Sequence, residues 1–216
     1  MRSIPCRFLI PALTLLLAPA LHAEPFRTFN QEIPTADVRA VEVESEFADV
    51  AITGGGGEAV QVEVEVSCAS GWEKSCTRAA EDVDIDWRLR GGKLRVKVRG
   101  TSKIHAHHIS VAAKVIVPRK LPVEVSLGVG DVSIEGMTSD IEIDAATGDV
   151  EIHAKKSDVH IVEMDLGFGD AALYVDGSRL EGGGGILNRG LTWRSEEGHA
   201  VIDINLGSGD STVRLN

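Results

Sequence analysis

The chain has 216 residues, and its 33 acidic side chains outnumber its 22 lysines and arginines, giving a formal net charge of −11. This excess of carboxylates argues against a nucleic-acid partner, whose phosphates need neutralising cations. It argues equally against electrostatic docking to an anionic membrane surface. The length fits one domain or one array of repeats.

Residues 1–23 have the pattern of a secretory signal peptide. Arg2 and Arg7 precede an apolar run from Phe8 to Ala20, and small residues follow the run. The run is shorter than the roughly 20 apolar residues that a bilayer span needs. We therefore expect an exported protein of the periplasm or the cell surface, with no integral membrane span after cleavage. Its mature part would begin at Glu24 and keep 33 acidic against 20 basic residues, a net charge of −13.

Two cysteines, Cys68 and Cys76, remain once the signal peptide is removed. An even pair in an exported chain predicts a disulfide, and the short loop between them limits its contribution to roughly 2–3 kcal/mol. Two free thiols are the alternative. A zinc site is disfavoured because seven intervening residues do not match the usual short spacing of zinc ligands.

Residues 24–118 form a strand-rich part in which apolar and polar side chains alternate. This period of two predicts half-buried strands, and Gly54–Gly57 and Gly91–Gly92 mark turns between them. Because Trp87 alternates with Ile85 and Leu89, we expect it in the core. The apolar positions of the runs are Val41, Val43 and Phe47; Val60, Val62, Val64 and Val66; Val83, Ile85, Trp87 and Leu89; Leu94, Val96 and Val98; and Val111, Ala113, Val115 and Val117.

Residues 119–216 repeat a Gly-Asp step followed by a short β run. The copies read SLGVGDVSIEG, DAATGDVEIHA, DLGFGDAALYVDG and NLGSGDSTVRLN, with aspartates at Asp131, Asp149, Asp170 and Asp210. The aspartates are 18, 21 and 40 residues apart, so one degenerate copy is expected near Asn188–Gly190. The stretch FADVAITGG, which begins at Phe47, is interpreted as a divergent first copy.

A period of about 20 residues with strand patterning predicts an all-β fold of the right-handed β-solenoid type, in which coils stack to bury a shared core. The part before residue 119 would cap the coils and form one continuous domain with them. An antiparallel β-sandwich with hairpins of the same length is the alternative. The residues expected to face inward are Ile134, Ile143, Ile152, Ile161, Leu173, Ile204 and Val213.

An export signal, a polar β-rich first half and a series of G-x-G-D-[VAS] steps resemble the bacterial putative-adhesin family of unknown function. They also resemble the related head domains of auto-transporter adhesins. The resemblance extends over residues 38–216. It implies a β-solenoid-like fold and a location in the envelope or at the cell surface, and it transfers no catalytic residue.

The aspartates of the Gly-Asp steps, Asp131, Asp149, Asp170 and Asp210, could either close turns or bind calcium along a column. Calcium needs six to eight oxygen ligands, and one carboxylate in each coil favours the turn-closing role. His105 and His107 share one side of a strand and are weak candidates for a transition-metal site. Because no further ligand lies nearby in the sequence, we expect them to be solvated.

The chain carries no G-x-S-x-G, H-E-x-x-H or P-loop motif, and no motif indicates a cofactor. A carbohydrate-active enzyme would need two carboxylates at a defined separation, and Asp140, Glu142, Asp144 and Glu151 are available. We therefore expect a non-catalytic envelope or surface module that binds an envelope polymer, a glycan or a protein. A carbohydrate-active enzyme and a calcium- or zinc-dependent binding module are the alternatives.

Overall fold

The computed structural model describes residues 27–68, 80–100, 109–183 and 187–216, and these segments are built from β-strands. The predicted signal peptide 1–23, Cys76, and the two histidines His105 and His107 lie outside the described residues. Within the described ranges, no helix is long and apolar enough to span a bilayer. The strands are β1 Arg27–Pro34, β2 Ala40–Phe47, β3 Asp49–Gly55, β4 Ala59–Cys68, β5 Asp84–Arg90, β6 Lys93–Arg99, β7 Ile109–Pro118, β8 Val123–Val129, β9 Val132–Glu135, β10 Ile141–Thr147, β11 Val150–Ala154, β12 Val159–Phe168, β13 Ala171–Val175, β14 Ser178–Glu181, β15 Leu187–Arg194, β16 Ala200–Ser208 and β17 Ser211–Leu215.

The strands form two mixed sheets. Sheet A has the order β1-β4-β7-β3-β9-β11-β17-β13-β14, and sheet B has the order β15-β12-β16-β10-β8-β2-β6-β5. The central strands of both sheets pair in parallel, whereas antiparallel strands lie at the edges. The all-β prediction is therefore confirmed. The parallel centres differ from the pairing expected of an antiparallel sandwich, although two facing sheets are a sandwich-like arrangement.

Five pairs of consecutive strands are joined by a corner of only one or two residues between sheet B and sheet A, and we call each pair a layer. The layers are β2–β3, β8–β9, β10–β11, β12–β13 and β16–β17. Their order in space differs from their order in sequence, because the last layer lies between β10–β11 and β12–β13 in both sheets. Both sheets contain strands from the parts before and after residue 119.

The stretch around Asn188–Gly190 is not the degenerate copy that the spacing of the aspartates predicted. It belongs to β15, which pairs antiparallel with β12 and forms the edge of sheet B. Likewise β14 pairs antiparallel with β13 at the edge of sheet A. The interval of 40 residues between Asp170 and Asp210 is therefore long because it contains two edge strands, β14 and β15, before the last layer begins at β16.

The inward-facing predictions hold for six of the seven residues. Ile134, Ile143, Ile152, Leu173, Ile204 and Val213 are each buried. Ile161 is the exception, because an irregularity in the register of β12 against β16 falls between Val159 and Ile161. This shift turns Ile161 outward and leaves Val162 completely buried.

The prediction that Trp87 lies in the core is wrong. Its side chain is 43% exposed and that of Leu89 is 42% exposed, although their partners Val96 and Leu94 on β6 are buried. The alternation predicted for β5 is confirmed, because its apolar residues share one face of the strand. They stay exposed because β5 is the edge strand of sheet B.

Candidate binding groove

The Gly-Asp steps meet in one column at the corner where each layer passes from sheet B to sheet A. The carboxylate Oδ1 of Asp49 accepts a hydrogen bond from the backbone N–H of Asp131 at 3.1 Å. In the same way Asp131 accepts from Asp149 at 2.8 Å, Asp149 from Asp210 at 2.9 Å, and Asp210 from Asp170 at 2.9 Å. Each aspartate thus links its corner to the next one, and Asp49 confirms the divergent first copy.

The glycine that precedes four of the five aspartates is required by close stacking of the corners. Gly148 has φ of +142°, and a Cβ atom there would collide with the carbonyl oxygen of Gly130 in the adjacent layer. At the first corner the residue before Asp49 is Ala48, which is buried without a positive φ. Asp49 ends the column of hydrogen-bonded aspartates, and on that side β3 pairs with β7.

The last corner of the column is joined to the edge strand β15. Asp170 accepts a close hydrogen bond from the guanidinium of Arg189. The aspartates therefore have structural partners at every layer. Within the described ranges, no three histidine, cysteine, aspartate or glutamate side chains are grouped as metal ligands.

A groove on the outer face of sheet A runs beside this column and crosses β7, β3, β9, β11 and β17. It encloses about 550 Å³. One wall carries the carboxylates of Asp49, Asp131, Asp149 and Asp210, and the floor carries the small side chains of Ala51, Ala112, Ser133 and Thr212. We call this feature the sheet A groove. Its floor is low on β7, β3, β9 and β17, where these outward positions hold alanine, serine or threonine, and β11 places Glu151 between Ser133 and Thr212.

Longer charged side chains stand at the two ends of the sheet A groove. On β7, Lys114 donates to Glu65 at 2.9 Å and to Glu63 at 3.3 Å, and these hydrogen bonds raise the pKa of the lysine. On β17, Arg214 donates to Glu151 at 3.2 Å. The hydrogen bond between Glu151 and His153 is the main reason that the pKa of Glu151 is lowered, and the hydrogen bond from Arg214 lowers it further. Both cations are therefore already paired with glutamates.

A second cavity of about 480 Å³ continues the groove toward β1 and shares Lys114 with it. Its lining is polar apart from Val62 and Ile116, and Ile116 is 43% exposed. Together the two cavities cross most of the width of sheet A. The surface is suited to an extended ligand rather than to a compact one.

The acidic residues considered for catalysis do not form one site. Glu151 lies on the outer face of sheet A, whereas Glu142 and Asp144 lie on the outer face of sheet B. Asp140 precedes β10, and its Oδ1 accepts the backbone N–H of Val201 at 2.9 Å. Burial, and then the neighbouring carboxylates, raise the pKa of Glu142.

Sequence reasoning did not identify the groove, although a signal for its floor is present in the repeats. The floor residues Ala51, Ser133 and Thr212 each come two positions after the aspartate of their own Gly-Asp step. Small residues at this offset indicate a low outward surface on three of the strands, whereas the same offset from Asp149 gives Glu151 on β11. Lys114 lies outside the repeats, so only the pairing of β7 with β3 could bring it to the groove.

Of the two cysteines predicted to form a disulfide, Cys68 lies within the described residues. It ends β4 and lies partly buried against the core. Cys76 lies outside the described residues, so the pairing of Cys68 with Cys76 stays a prediction. The candidate metal ligands His105 and His107 lie outside the described residues as well.

No family model matches the chain, and no curated protein matches it. A solved structure from Clostridium sporogenes, named a "putative cell adhesion protein", has a TM-score of 0.55 with 12% identity. The match covers 88% of this chain and 99% of that protein. The likeness shows a shared fold over nearly the whole of the Clostridium protein.

Two further solved structures share less of the geometry. A "putative adhesin" from Parabacteroides merdae has a TM-score of 0.26 and 9% identity, with 88% of this chain and 97% of that protein covered. A "putative lipid binding protein" from Parabacteroides distasonis has a TM-score of 0.28 and 8% identity, with the same coverage. The resemblance of the Gly-Asp steps to adhesin-like proteins agrees with the name of the Clostridium structure.

Proposed function

We propose that the chain is a non-catalytic, adhesin-like binding module of the cell envelope or surface, and that the sheet A groove holds its ligand. The observation that carries this proposal is a groove that crosses five strands, with small side chains on the floor of four of them and a wall of carboxylates. Adjacent strands are ~4.8 Å apart, so the groove is roughly 19 Å long. That length suits an extended polymer segment.

The ligand is a glycan whose groups donate hydrogen bonds. Carboxylates accept hydrogen bonds and make no donation when ionised, so the wall formed by Asp49, Asp131, Asp149 and Asp210 favours hydroxyl or ammonium groups. The two cations at the ends of the groove, Lys114 and Arg214, are paired with glutamates. A phosphorylated or sulfated polymer would meet an excess of negative charge and bind poorly.

Blocking the groove tests this function. Ser133→Trp places a large side chain on the floor of the groove, and Asn205→Trp places the same side chain on the outer face of sheet B as a matched control. We expect the unmodified protein and the Asn205 variant to bind neutral or amino-sugar oligosaccharides on a glycan array. The Ser133 variant should lose at least about tenfold in affinity by calorimetry, the size of a single good contact.

Equal binding by both tryptophan variants would place the ligand elsewhere on the molecule. Preference for sulfated glycans over neutral ones would contradict the role of the carboxylate wall. Circular dichroism and thermal unfolding of each variant separate loss of binding from loss of fold.

We infer that the layers wind as a right-handed β-solenoid whose corners are the Gly-Asp steps. Parallel pairing of equivalent strands and the hydrogen-bonded column from Asp49 to Asp170 support this architecture. We also propose that residues 1–23 direct export. N-terminal sequencing of the protein from the periplasmic or surface fraction should begin at Glu24.

A further inference from the structure

Strand β5 forms an open edge of sheet B and carries exposed apolar side chains. Among the described strands it pairs with β6 alone, in antiparallel register from Asp84–Arg99 to Arg90–Lys93. Trp87 and Leu89 are 43% and 42% exposed on the face that continues the core. On the opposite face the side chain of Arg88 is 73% exposed. An edge of this kind is a template for pairing with another strand.

The sequence of β5, DIDWRLR, is complementary to itself when it is read in the antiparallel direction. With Trp87 opposite Trp87 of a second copy, Asp86 lies opposite Arg88 and Asp84 lies opposite Arg90. On the other face, Ile85 lies opposite Leu89. Opposite charges and apolar pairs directly across an antiparallel ladder each stabilise it, whereas like charges destabilise it.

The backbone N–H and C=O groups of β5 that point away from β6 belong to the residues that this pairing needs. The turn to β6 has Gly91 and Gly92 at φ of +61° and +85°, as in the two-residue turns of tight hairpins. Arg90 and Lys93 flank the turn, so they form a hydrogen-bonded pair, and such pairs alternate along the ladder. Ile85, Trp87 and Leu89 therefore direct their N–H and C=O groups to the open edge. Accordingly, the N–H of Ile85 donates to the side chain of Asp84 at 2.9 Å instead of to β6.

We propose that two copies of this chain associate through antiparallel pairing of their β5 strands about a two-fold axis at Trp87. The three residues that direct their backbone groups outward become hydrogen-bonded pairs with one another. The apolar side chains of both copies then cover each other, and sheet B becomes continuous across the dimer. Such an interface uses the same surface on both subunits, as two-fold symmetry requires.

The two edge strands of sheet A, β14 and β1, do not have this self-complementarity. In β14, SRLE, antiparallel pairing would place Arg179 opposite Leu180. In β1, RTFNQEIP, it would place Phe29 opposite Glu32, and Pro34 at the end lacks an N–H. Of these three edge strands, β5 alone is therefore complementary to itself.

Dimerisation would present two sheet A grooves to one polymer. When one groove is occupied, the second encounters the same chain at a raised effective concentration, so overall affinity increases without new contacts. The dimer itself does not depend on the function proposed for the groove, since β5 lies in the other sheet.

Charge reversal on β5 tests the dimer with variants that can rescue each other. Arg88→Asp with Arg90→Asp makes the strand acidic, and Asp84→Arg with Asp86→Arg makes it basic. In sedimentation equilibrium from micromolar to submillimolar concentration, we expect the unmodified protein to dimerise. Each charge variant alone should associate roughly a hundredfold more weakly, because like charges then face each other. An equal mixture of the two should dimerise again.

Arg179→Asp on the edge strand β14 is the matched control and should dimerise like the unmodified protein. The proposal is overturned if the unmodified protein stays monomeric over this range, or if the two charge variants dimerise as before. It is also overturned if their mixture stays monomeric while both variants keep their circular dichroism spectra. Glycan binding by Ser133→Trp that stays as strong as that of the unmodified protein, alongside intact dimers, would contradict only the function of the groove.

Discussion

Single residues at the corners have two separate roles in this protein. The glycine lets the backbone of one layer approach the carbonyl oxygen of the next, as Gly148 does over Gly130. The aspartate then accepts the N–H of the aspartate in the following layer, as Asp149 does from Asp210. The column is therefore held by backbone proximity and by a carboxylate bond at every step. The aspartates serve the fold at one oxygen while they line the sheet A groove.

Substituting the glycine in the middle of the column should be costly. Gly148→Ala adds a Cβ atom against the carbonyl oxygen of Gly130 at a positive φ, and we expect a loss of roughly 2–4 kcal/mol in the free energy of unfolding. Ala48→Gly at the end of the column is the control and should cost less than about 1 kcal/mol. Urea unfolding monitored by circular dichroism measures both. Similar losses for the two variants would mean that the column does not depend on close stacking.

At the scale of strands, parallel pairing in register places like residues side by side. On the outer face of sheet B one row contains Glu163, Asp203, Glu142, Glu124 and Glu42. Cations pair with the ends of the row, including Arg95 with Glu42 at 3.0 Å and Lys93 with Glu124 at 2.6 Å. Among the described residues no ion pair reaches Glu142 or Asp203 in the middle. Parallel pairing of similar strands therefore places their carboxylates side by side. The sequence of a single strand does not show this arrangement.

The middle of this row should make stability depend on pH. Burial, and then the carboxylates of Glu163, Asp144 and Asp165, raise the pKa of Asp203 in the folded protein. Because the folded pKa lies above the unfolded one, the fold gains stability as the pH falls from neutral through the folded pKa. The gain is complete below the unfolded pKa.

Asp203→Asn removes this charge and should stabilise the protein at pH 7 by up to about 1 kcal/mol, the scale of exposed charge interactions. The advantage should shrink as the pH falls, because Asp203 itself becomes protonated. Glu44→Gln is the control: Glu44 is paired with Lys97 on the same face, so its neutralisation should bring no gain. Unfolding at a series of pH values gives both results. A constant advantage of Asn at every pH would exclude the electrostatic cause.

At the scale of the whole molecule, the last layer in sequence holds the preceding one in place. Beyond their own antiparallel partners β15 and β14, strands β12 and β13 pair only with β16 and β17. Residues 200–215 therefore separate β12–β15 from β10–β11. Buried residues of all five layers nevertheless belong to one core.

Loosening the last layer should therefore affect strands that precede it in sequence. Ile204 is completely buried on β16, and Ile204→Ala should cost about 2–5 kcal/mol. In hydrogen exchange measured by mass spectrometry, we expect faster exchange in β12 and β13 than in β2 and β3. The reverse pattern is expected for Val43→Ala on β2. Uniform acceleration in both variants would show that the layers open only together.

The sequence by itself determined the features that are local along the chain. Alternation of period two located the strands, Gly-Asp steps located the corners, and six of seven inward residues were identified, because side-chain direction on a strand follows from parity alone. Tertiary structure decided the features that depend on distant pairing. These are the insertion of β16–β17 between earlier layers, the antiparallel edge that replaced a degenerate copy at Asn188–Gly190, and the register shift that turns Ile161 outward. Tertiary structure also decided that Trp87 is exposed at a sheet edge and that Lys114 lies in the sheet A groove. The neighbours of a strand across a sheet are set by contacts far away in sequence, and no local period records which strand lies at an edge.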